Sequence, residues 1–255
     1  MIPNSKGLVT PREYRCSPDL NLSSPQPAPS LVAVTAEEPR APYDPMPHGP
    51  AEVGVGPWEG ALPTGVEYDA QLLAEGDRRN VVDRYRYWSM EAIVADLDAR
   101  RHDFHVAIEN WQHDFNIGTI VRSANAFLAR EVHIVGRKRW NRRGAMVTDR
   151  YQHVRHHEDV ESLAAYLHGK GVTLMGIDNL PGSEPLETWA MPRSVCFLFG
   201  QEGPGLSDDA RERCDGTFSI AQFGSTRSIN ASAAAAIAMH SWITRYADLG
   251  EAWRG

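Results

Sequence analysis

The sequence predicts an α/β protein built on a mostly parallel sheet flanked by helices. From residue 104 onward, short apolar runs typical of strands alternate with longer amphipathic stretches typical of helices. One run, residues 195–199, is apolar throughout, as expected for a central parallel strand that is covered on both faces. Glycine-rich or polar segments follow several of these runs. They would lie at the carboxyl edge of the sheet, where open α/β sheets bind their ligands.

The individual elements follow from this alternation. Strands are predicted at residues 104–108, 132–135, 172–177, 195–199 and 217–220. Helices are predicted at residues 117–127, 160–167 and 231–246, with a short one between Ser207 and Cys214. Ser207 is a suitable N-cap, because Asp208 and Asp209 place negative charge in the first turn, where the helix dipole favours it.

The proline distribution divides the chain into three parts. Thirteen of the seventeen prolines lie at or before Pro63. We therefore expect a mostly disordered tail over residues 1–65, since this stretch has no periodic apolar residues. Residues 66–101, with apolar residues at helical spacing from 67 onward, are predicted to be a helical extension, and residues 102–250 the α/β domain.

Composition excludes several classes of protein. The N-terminus lacks the apolar core of a secretory signal, and no run of about eighteen apolar residues occurs, so a soluble cytoplasmic protein is expected. Cys16, Cys196 and Cys214 are too scattered for a disulfide framework. His153, His156 and His157 are interpreted as part of a polar loop without matching ligands, so no metal is predicted.

Charge placement is more informative than net charge. The formal net charge is −7, which alone argues against a nucleic-acid partner. Residues 137–155, however, contain seven basic residues and one acid, Asp149, with Trp140 and Tyr151 among them. Such a segment suits phosphates and unstacked bases, although charge runs are more often solvated surfaces. The predicted RNA contacts are Arg137, Lys138, Arg139, Arg142, Arg143 and Arg150, together with Asn116.

Three segments carry the remaining polar candidates, and each also has a purely structural interpretation. Asn116, Ser228 and Asn230 could merely cap helices, and the glycine turn at residues 199–207 could be a tight strand-to-helix connection. The spacing of that turn, Gly-x-x-Gly-x-Gly, differs from both the dinucleotide fingerprint and the P-loop. A ligand other than NAD or ATP is therefore indicated.

Taken together and in order, the three segments resemble the three motifs of the SpoU/TrmH branch of the SPOUT RNA methyltransferases. The matching patterns are Asn116-x-Gly118-x-x-x-Arg122, Phe199-Gly200-x-Glu202-x-x-Gly205-Leu206-Ser207 and Ile220-x-x-x-Gly224-x-x-x-Ser228-Ile229-Asn230-x-Ser232. The resemblance spans roughly residues 104–246.

This resemblance implies a SPOUT-type parallel sheet with a C-terminal trefoil knot, an exception to the rule against threaded chains. It implies a homodimer that binds S-adenosylmethionine in the knot and methylates a ribose 2′-hydroxyl of tRNA or rRNA. By motif, Arg122, Glu202, Ser228 and Asn230 would form the catalytic cluster. The cofactor contacts would be Gly200, Ile220, Ile229, Gly205 and Leu206. The motifs do not specify which RNA or which nucleotide is modified.

The sequence departs from the family pattern at three positions. Ala221 stands where proline is usual, Ile229 where leucine is usual, and Leu128 where glycine is common. None of these changes removes a polar group that the chemistry needs, so activity is expected. The alternative is a non-catalytic RNA-binding or assembly protein that keeps the fold, and a Rossmann oxidoreductase is disfavoured by the glycine spacing.

Overall fold

The computed structural model describes residues 54–112 and 116–252, and the statements below concern these residues. Seven parallel strands form one sheet in the order β3-β2-β1-β6-β4-β7-β5. The strands are β1 Phe104–Asn110, β2 Val132–Gly136, β3 Val154–His157, β4 Thr173–Ile177, β5 Glu184–Pro185, β6 Val195–Phe199 and β7 Gly216–Ser219. The predicted α/β class and parallel sheet are confirmed.

Helices cover both faces of this sheet. They are α1 Ala70–Glu75, α2 Met90–Asp98, α3 Asn116–Ala126, α4 Val160–His168, α5 Asp208–Arg213 and α6 Ala231–Tyr246. Apolar residues of α3 and α6 pack into one core, and those of α4 and α5 pack into a second core on the opposite face. Among the described residues, no helix is both long and apolar enough to cross a bilayer.

The sheet contains two strands that the sequence pattern did not reveal. Strand β3 reads Val-Arg-His-His and lies at one edge of the sheet, where a polar strand is tolerated. Strand β5 has only two residues and lies at the other edge. The prediction that His156 and His157 lie in a polar loop is therefore wrong, because both residues belong to β3.

Strand order places β6 between β1 and β4, so a strand late in the chain lies in the middle of the sheet. All seven residues of β1 and all five of β6 are buried. Two fully covered neighbours in the centre explain why residues 195–199 are continuously apolar. The trefoil knot stays a prediction.

Leu128 ends α3 in an unusual backbone conformation. Its φ angle is 56°, in the left-handed region that favours glycine. The next amide, that of Ala129, donates to the carbonyl of Ala124 at 2.9 Å and closes the helix end. The glycine common at this position in the SpoU/TrmH pattern thus has a physical reason, and Leu128 keeps the same turn at the cost of backbone strain, about 1–2 kcal/mol.

Residues 54–101 form a short-helix segment instead of one continuous helix. Helix α1 begins at the Asp69 cap and ends at Gly76, whose φ is 92°, and α2 begins again at the Ser89 cap. Between them the buried carboxylate of Asp77 accepts from the Arg79 guanidinium at 2.7 Å. Although burial opposes ionisation, hydrogen bonds from Arg79 lower the pKa of Asp77 to about 2.

The segment is tied to the α/β domain through Arg101. This guanidinium donates to the carbonyl of Tyr151 at 2.7 Å and to Gln152 Oε1 at 2.8 Å. Upstream, Val55 pairs with Asp77. Residues 1–53 of the predicted disordered tail lie outside the described residues, and the boundaries at 65 and 101 stay predictions.

Three buried histidines, which we call the imidazole chain, link the first three strands. His105 Nδ1 lies 3.0 Å from His133 Nε2, and His133 Nδ1 lies 3.1 Å from His157 Nε2. Burial lowers the pKa of His105 to about 4 and also lowers the pKa values of His133 and His157. The three histidines of the imidazole chain are therefore neutral near physiological pH.

Glu131 lies beside this chain, and its Oε2 is 3.7 Å from His105 Nδ1. Among the described residues, His105, Glu131 and His133 are the group whose donor atoms are near enough to share a metal ion. The two imidazole planes, however, are nearly parallel, at 18°, with ring centres 5.2 Å apart, and His105 Nδ1 lies 3.0 Å from His133 Nε2. That spacing means that their nitrogens point at each other in a hydrogen bond and do not converge on a third point.

Candidate active site

The three motif segments meet at the carboxyl edge of the sheet. Asn116 begins α3 shortly after β1 ends, the glycine turn follows β6 directly, and residues 220–230 follow β7. Since all strands are parallel and β1, β6, β4 and β7 are neighbours, their following loops lie on one edge. The sheet topology thus brings together segments more than a hundred residues apart.

The side chain of Asn116 joins the second and third motifs. Its Nδ2 donates to Glu202 Oε2 at 2.9 Å, and its Oδ1 accepts from Asn230 Nδ2 at 2.9 Å. Asn230 also caps α6, because its Oδ1 accepts from the amides of Ser232 and Ala233. The capping interpretation of Asn230 is therefore correct. The cap uses the side-chain oxygen, and the side-chain nitrogen Nδ2 makes the bond to Asn116.

The glycine turn is closed by contacts that tolerate no side chain. Gln201 and Gly205 exchange two backbone hydrogen bonds, at 3.0 and 3.2 Å. A Cβ on Gly200 would lie 2.0 Å from the carbonyl carbon of Gly205 and 2.2 Å from the amide nitrogen of Leu206. Gly205 has φ of 73°, and a Cβ there would meet Asp178 Oδ2 at 2.4 Å. Both glycines are required by the shape of the turn itself.

Two carboxylates that sequence reasoning missed hold this turn in place. Asp178, directly after β4, accepts from the Leu206 amide at 2.9 Å. Glu109, fully buried in β1, accepts from the Ser207 amide at 2.8 Å and from Trp111 Nε1 at 3.0 Å. The available signals were an acid at the end of the predicted strand at residues 104–108 and an acid directly after the predicted strand at residues 172–177.

A cavity of about 340 Å³ opens between these loops. Its apolar lining comes from Ile177, Leu180, Phe199, Ile220 and Ile229. Its polar lining includes Glu202, Ser228 and Asn230. The volume and the mixture of apolar walls with few polar groups are typical of a small-ligand site. A larger open groove of about 790 Å³ beside Trp189 contains none of the predicted site residues.

The predicted cofactor residues divide between the cavity wall and the core behind it. Gly200, Gly205, Ile220 and Ile229 line the cavity. Leu206 does not; its side chain is 2% exposed and packs in the core with α4 and α5. Ala221, beside the cavity, donates its amide to Glu187 Oε1 at 2.9 Å, a bond that the proline usual in the SpoU/TrmH pattern could not form.

Among the four predicted catalytic residues, Arg122 is the one that does not line the cavity. It is exposed on α3 and makes no hydrogen bond or ion pair with the described residues. It lies one turn after Gly118, whose Cα is so close to the 141–145 loop that a Cβ would meet Asn141 O at 2.8 Å. The expectation that Gly118 permits close backbone approach is confirmed, and Arg122 shares that face of the helix.

The basic segment is exposed, as an RNA surface requires. Arg137, Lys138, Arg139, Arg142, Arg143 and Arg150 all lie at the surface. Arg142 is 3.3 Å from Asp149 and sits over the Trp140 ring at 5.4 Å. The backbone beneath is held by Asn110, whose Nδ2 donates to the carbonyls of Arg137 and Arg139.

A model of the SpoU rRNA methylase family matches residues 103–240, more than half of the chain and all three motif segments. The chain belongs to the SpoU rRNA methylase family. The family match covers β1 through most of α6, including both ends of the Asn116 bridge.

Relatives and solved structures agree with this membership. The chain is 27% identical over 153 residues to the tRNA (guanosine(18)-2′-O)-methyltransferase of Escherichia coli (strain K12), covering 58% of this chain and 67% of the relative. The SpoU methyltransferase AviRb of Streptomyces viridochromogenes, solved with AdoMet, aligns with a TM-score of 0.51 at 24% identity. That alignment covers 59% of this chain and 60% of AviRb, and therefore supports the fold alone.

A third comparison extends over more of the relative. The TrmH/SpoU tRNA modifying enzyme of A. aeolicus aligns with a TM-score of 0.55 at 18% identity, over 61% of this chain and 81% of that one. The SpoU fold is thus shared, whereas the segment before residue 102 lies outside the family match.

Proposed function

We propose that this SpoU family member is an S-adenosylmethionine-dependent methyltransferase that acts on a ribose 2′-hydroxyl in structured RNA. The observation that carries the proposal is the Asn116 bridge, which joins Glu202 and Asn230 at the mouth of the cavity. The E. coli relative, which methylates a guanosine 2′-hydroxyl of tRNA by its name, supports the reaction type and a tRNA or rRNA substrate. No finding favours the non-catalytic alternative.

The cavity fits S-adenosylmethionine in its chemistry. Isoleucine and phenylalanine walls suit an adenine ring, and the tightly closed glycine turn presents backbone instead of side chains. Gly200, Ile220 and Ile229 would hold the cofactor, which supplies a methyl group activated by a sulfonium. AviRb, which shares the fold, was solved with AdoMet, and this is the cofactor that we propose for the cavity.

The residues of the chain would contribute mainly by positioning. Because Asn116 fixes Glu202 and Asn230 against each other, the loop carrying Ser228 is anchored at Asn230 and keeps its polar groups on the cavity. Correct orientation alone can lower a barrier by about 7–11 kcal/mol, whereas one general base gives about 10²- to 10⁴-fold. The hydroxyl proton would then pass to water as the methyl–sulfur bond breaks, and a strong protein base is not required.

Arg122 would act electrostatically. A guanidinium offers donors and no acceptor, so it cannot take the proton of a hydroxyl, but it can grip a phosphate and stabilise a developing alkoxide. Since Arg122 is exposed and unpaired among the described residues, we propose that it completes the active site of the second subunit in a homodimer. The site of one chain would then be incomplete without its partner.

The first experiment measures transfer of a tritiated methyl group from S-adenosylmethionine to bulk tRNA and rRNA, with calorimetry for cofactor binding. A methyltransferase labels RNA and binds the cofactor, whereas a non-catalytic protein transfers no label. Mapping 2′-O-methyl positions in RNA from cells with and without the protein then identifies the target nucleotide.

Mixing two inactive variants tests the shared site. In a mixed dimer one subunit carries Arg122→Ala and the other carries Asn230→Ala. If Arg122 serves the partner's cavity, both defects fall in one active site and the other site is intact. Random reassociation should restore about one quarter of wild-type activity, because half of the dimers are mixed and each has one intact site. Absence of recovery after verified subunit exchange would place Arg122 in its own chain's site or outside the chemistry.

Neutralising the basic segment tests the RNA surface. Arg139→Gln, Arg142→Gln and Arg143→Gln together should weaken RNA binding and flatten its dependence on salt, because fewer counterions are released. Affinity for S-adenosylmethionine should not change. An unaltered salt slope would remove these residues from the interface.

A further inference from the structure

The middle of the basic segment carries two exposed apolar residues that phosphate binding does not explain. Met146 and Val147, which we call the tip, are each 53% exposed. Both have left-handed backbone, with φ of 47° and 69°. A β-branched residue in this region is a steric outlier, and such outliers persist where the surrounding structure holds them and often where they serve function.

The residues on either side of the tip are closely packed. Short 3₁₀ turns at Arg143–Ala145 and Thr148–Arg150 flank it on both sides. Thr148 Oγ1 donates to the carbonyl of Ala145 at 2.7 Å, and Ala145 is fully buried. Gly144 packs so closely on α3 that a Cβ there would lie 2.8 Å from the Thr119 amide. The tip is therefore held outward by structure on each side.

Positive charge surrounds these two apolar residues. Arg142, Arg143 and Arg150 are exposed within four residues of the tip. The face of α3 that packs on this loop at Gly118 also carries Arg122, the proposed catalytic cation. An isologous contact centred on the tip would bring Arg142, Arg143 and Arg150 of two copies together, which disfavours self-association through the tip itself. A polyanion with apolar faces matches the surface better.

We propose that the tip is a contact for an unpaired RNA base, with the neighbouring arginines on the flanking phosphates. This inference rests on the proposed function and specifies its substrate as RNA with an unstacked nucleotide at or beside the target. In an A-form duplex the base faces are stacked and hidden, so an apolar side chain finds them only in single-stranded loops, bulges or overhanging ends. Single-stranded RNA exposes those faces beside its phosphates.

The test compares two RNA probes: a stem–loop with an all-uridine loop, and a blunt duplex with the same number of phosphates. The variant is Met146→Ser combined with Val147→Thr, which removes apolar surface while retaining β-branching at 147. Its matched control is Val66→Thr, the same substitution at a fully exposed valine outside the basic segment. Val147→Gly also removes the apolar side chain but relieves the strain of the left-handed backbone. RNA binding by this variant is therefore measured in a protein that folds at least as well as the wild type.

The double variant should raise the Kd for the stem–loop about fivefold and leave the Kd for the duplex unchanged, since only the apolar contact is lost. Its salt slope should equal that of the wild type, unlike that of the arginine variants. Val147→Gly should show the same selective loss, and Val66→Thr should show none.

Three results would overturn the inference: equal losses on both RNAs, no loss on the stem–loop, or conversion of a dimer to monomers by the double variant. The last result would make the tip a surface for a second copy of the chain. Methyl transfer by the wild type is measured in parallel. If the wild type methylates RNA and the tip variants bind the stem–loop as tightly as the wild type, only the tip assignment fails. If the wild type binds RNA but transfers no methyl group, the proposed function is refuted instead.

Discussion

Replacing Asn116 by Asp abolishes one hydrogen bond of the bridge and preserves the other. The introduced carboxyl has nearly the shape of the amide and can still accept from Asn230 Nδ2. Where the amide donated to Glu202 Oε2 at 2.9 Å, however, two carboxylate oxygens now face each other. Asn116→Ala is the matched control, because it removes both bonds and introduces no charge.

The size of the repulsion follows from the geometry. Two unit charges about 4 Å apart interact by about 1 kcal/mol in water and about 4 kcal/mol at an effective dielectric constant near 20. Asn116 is 8% exposed whereas Glu202 is exposed, so the repulsion lies between these limits. At about 1.4 kcal/mol per unit, the pKa of the introduced carboxyl should rise by about 1–3 units, to about 5–7.

The assay is the pH dependence of methyl transfer to bulk RNA. Asn116→Asp should be strongly impaired at about pH 8 and should recover as the pH falls toward about 5, because the protonated carboxyl again donates to Glu202. Asn116→Ala should stay impaired at every pH. If the two variants have the same pH profile relative to the wild type, the bridge does not position the active site in the way that its geometry indicates.

Three further outcomes follow from the same structure. Gly200→Ala should weaken S-adenosylmethionine binding, measured by calorimetry, by about tenfold or more, because a distortion that costs about 1.4 kcal/mol is enough for a tenfold change in Kd. Gly224→Ala is the control: a Cβ there meets nothing within 4 Å, so this variant should bind the cofactor as the wild type does. Glu109→Gln should lower the free energy of unfolding by about 1–3 kcal/mol in denaturant titrations, because a buried amide cannot accept from both N–H donors that face the carboxylate; unchanged stability would remove the clamp assigned to this residue. The imidazole chain should destabilise the fold in acid. The pKa of His105 is about 4 in the folded protein against 6.5 in the unfolded polypeptide, so between these pH values the unfolded state binds more protons. The free energy of unfolding should therefore be full above pH 6.5 and fall as the pH drops toward 4. Replacing His105 by Asn should reduce that loss, and an equally steep acid transition in this variant would contradict the assignment.

The sequence was sufficient for the elements whose signals are local. Residues 195–199 could be recognised as a central strand because full burial on both faces demands a continuous apolar run. Asn230 and Ser207 could be recognised as caps because the oxygen that caps a helix is on a neighbouring residue. Strand β3 escaped recognition because an edge strand may be polar on its open side, and its histidines gain their burial from β2 and α4.

The sequence by itself determined the α/β class, the positions of the principal strands and helices, and the three motif segments, since periodicity, capping and glycine spacing are properties of adjacent residues. Only the tertiary structure decided that Asn116 bridges Glu202 and Asn230, that Glu109 and Asp178 clamp the glycine turn, and that Arg122 does not line the cavity. These facts depend on the insertion of β6 between β1 and β4. Contacts between residues some hundred positions apart are set by strand order and packing, and no local pattern encodes them.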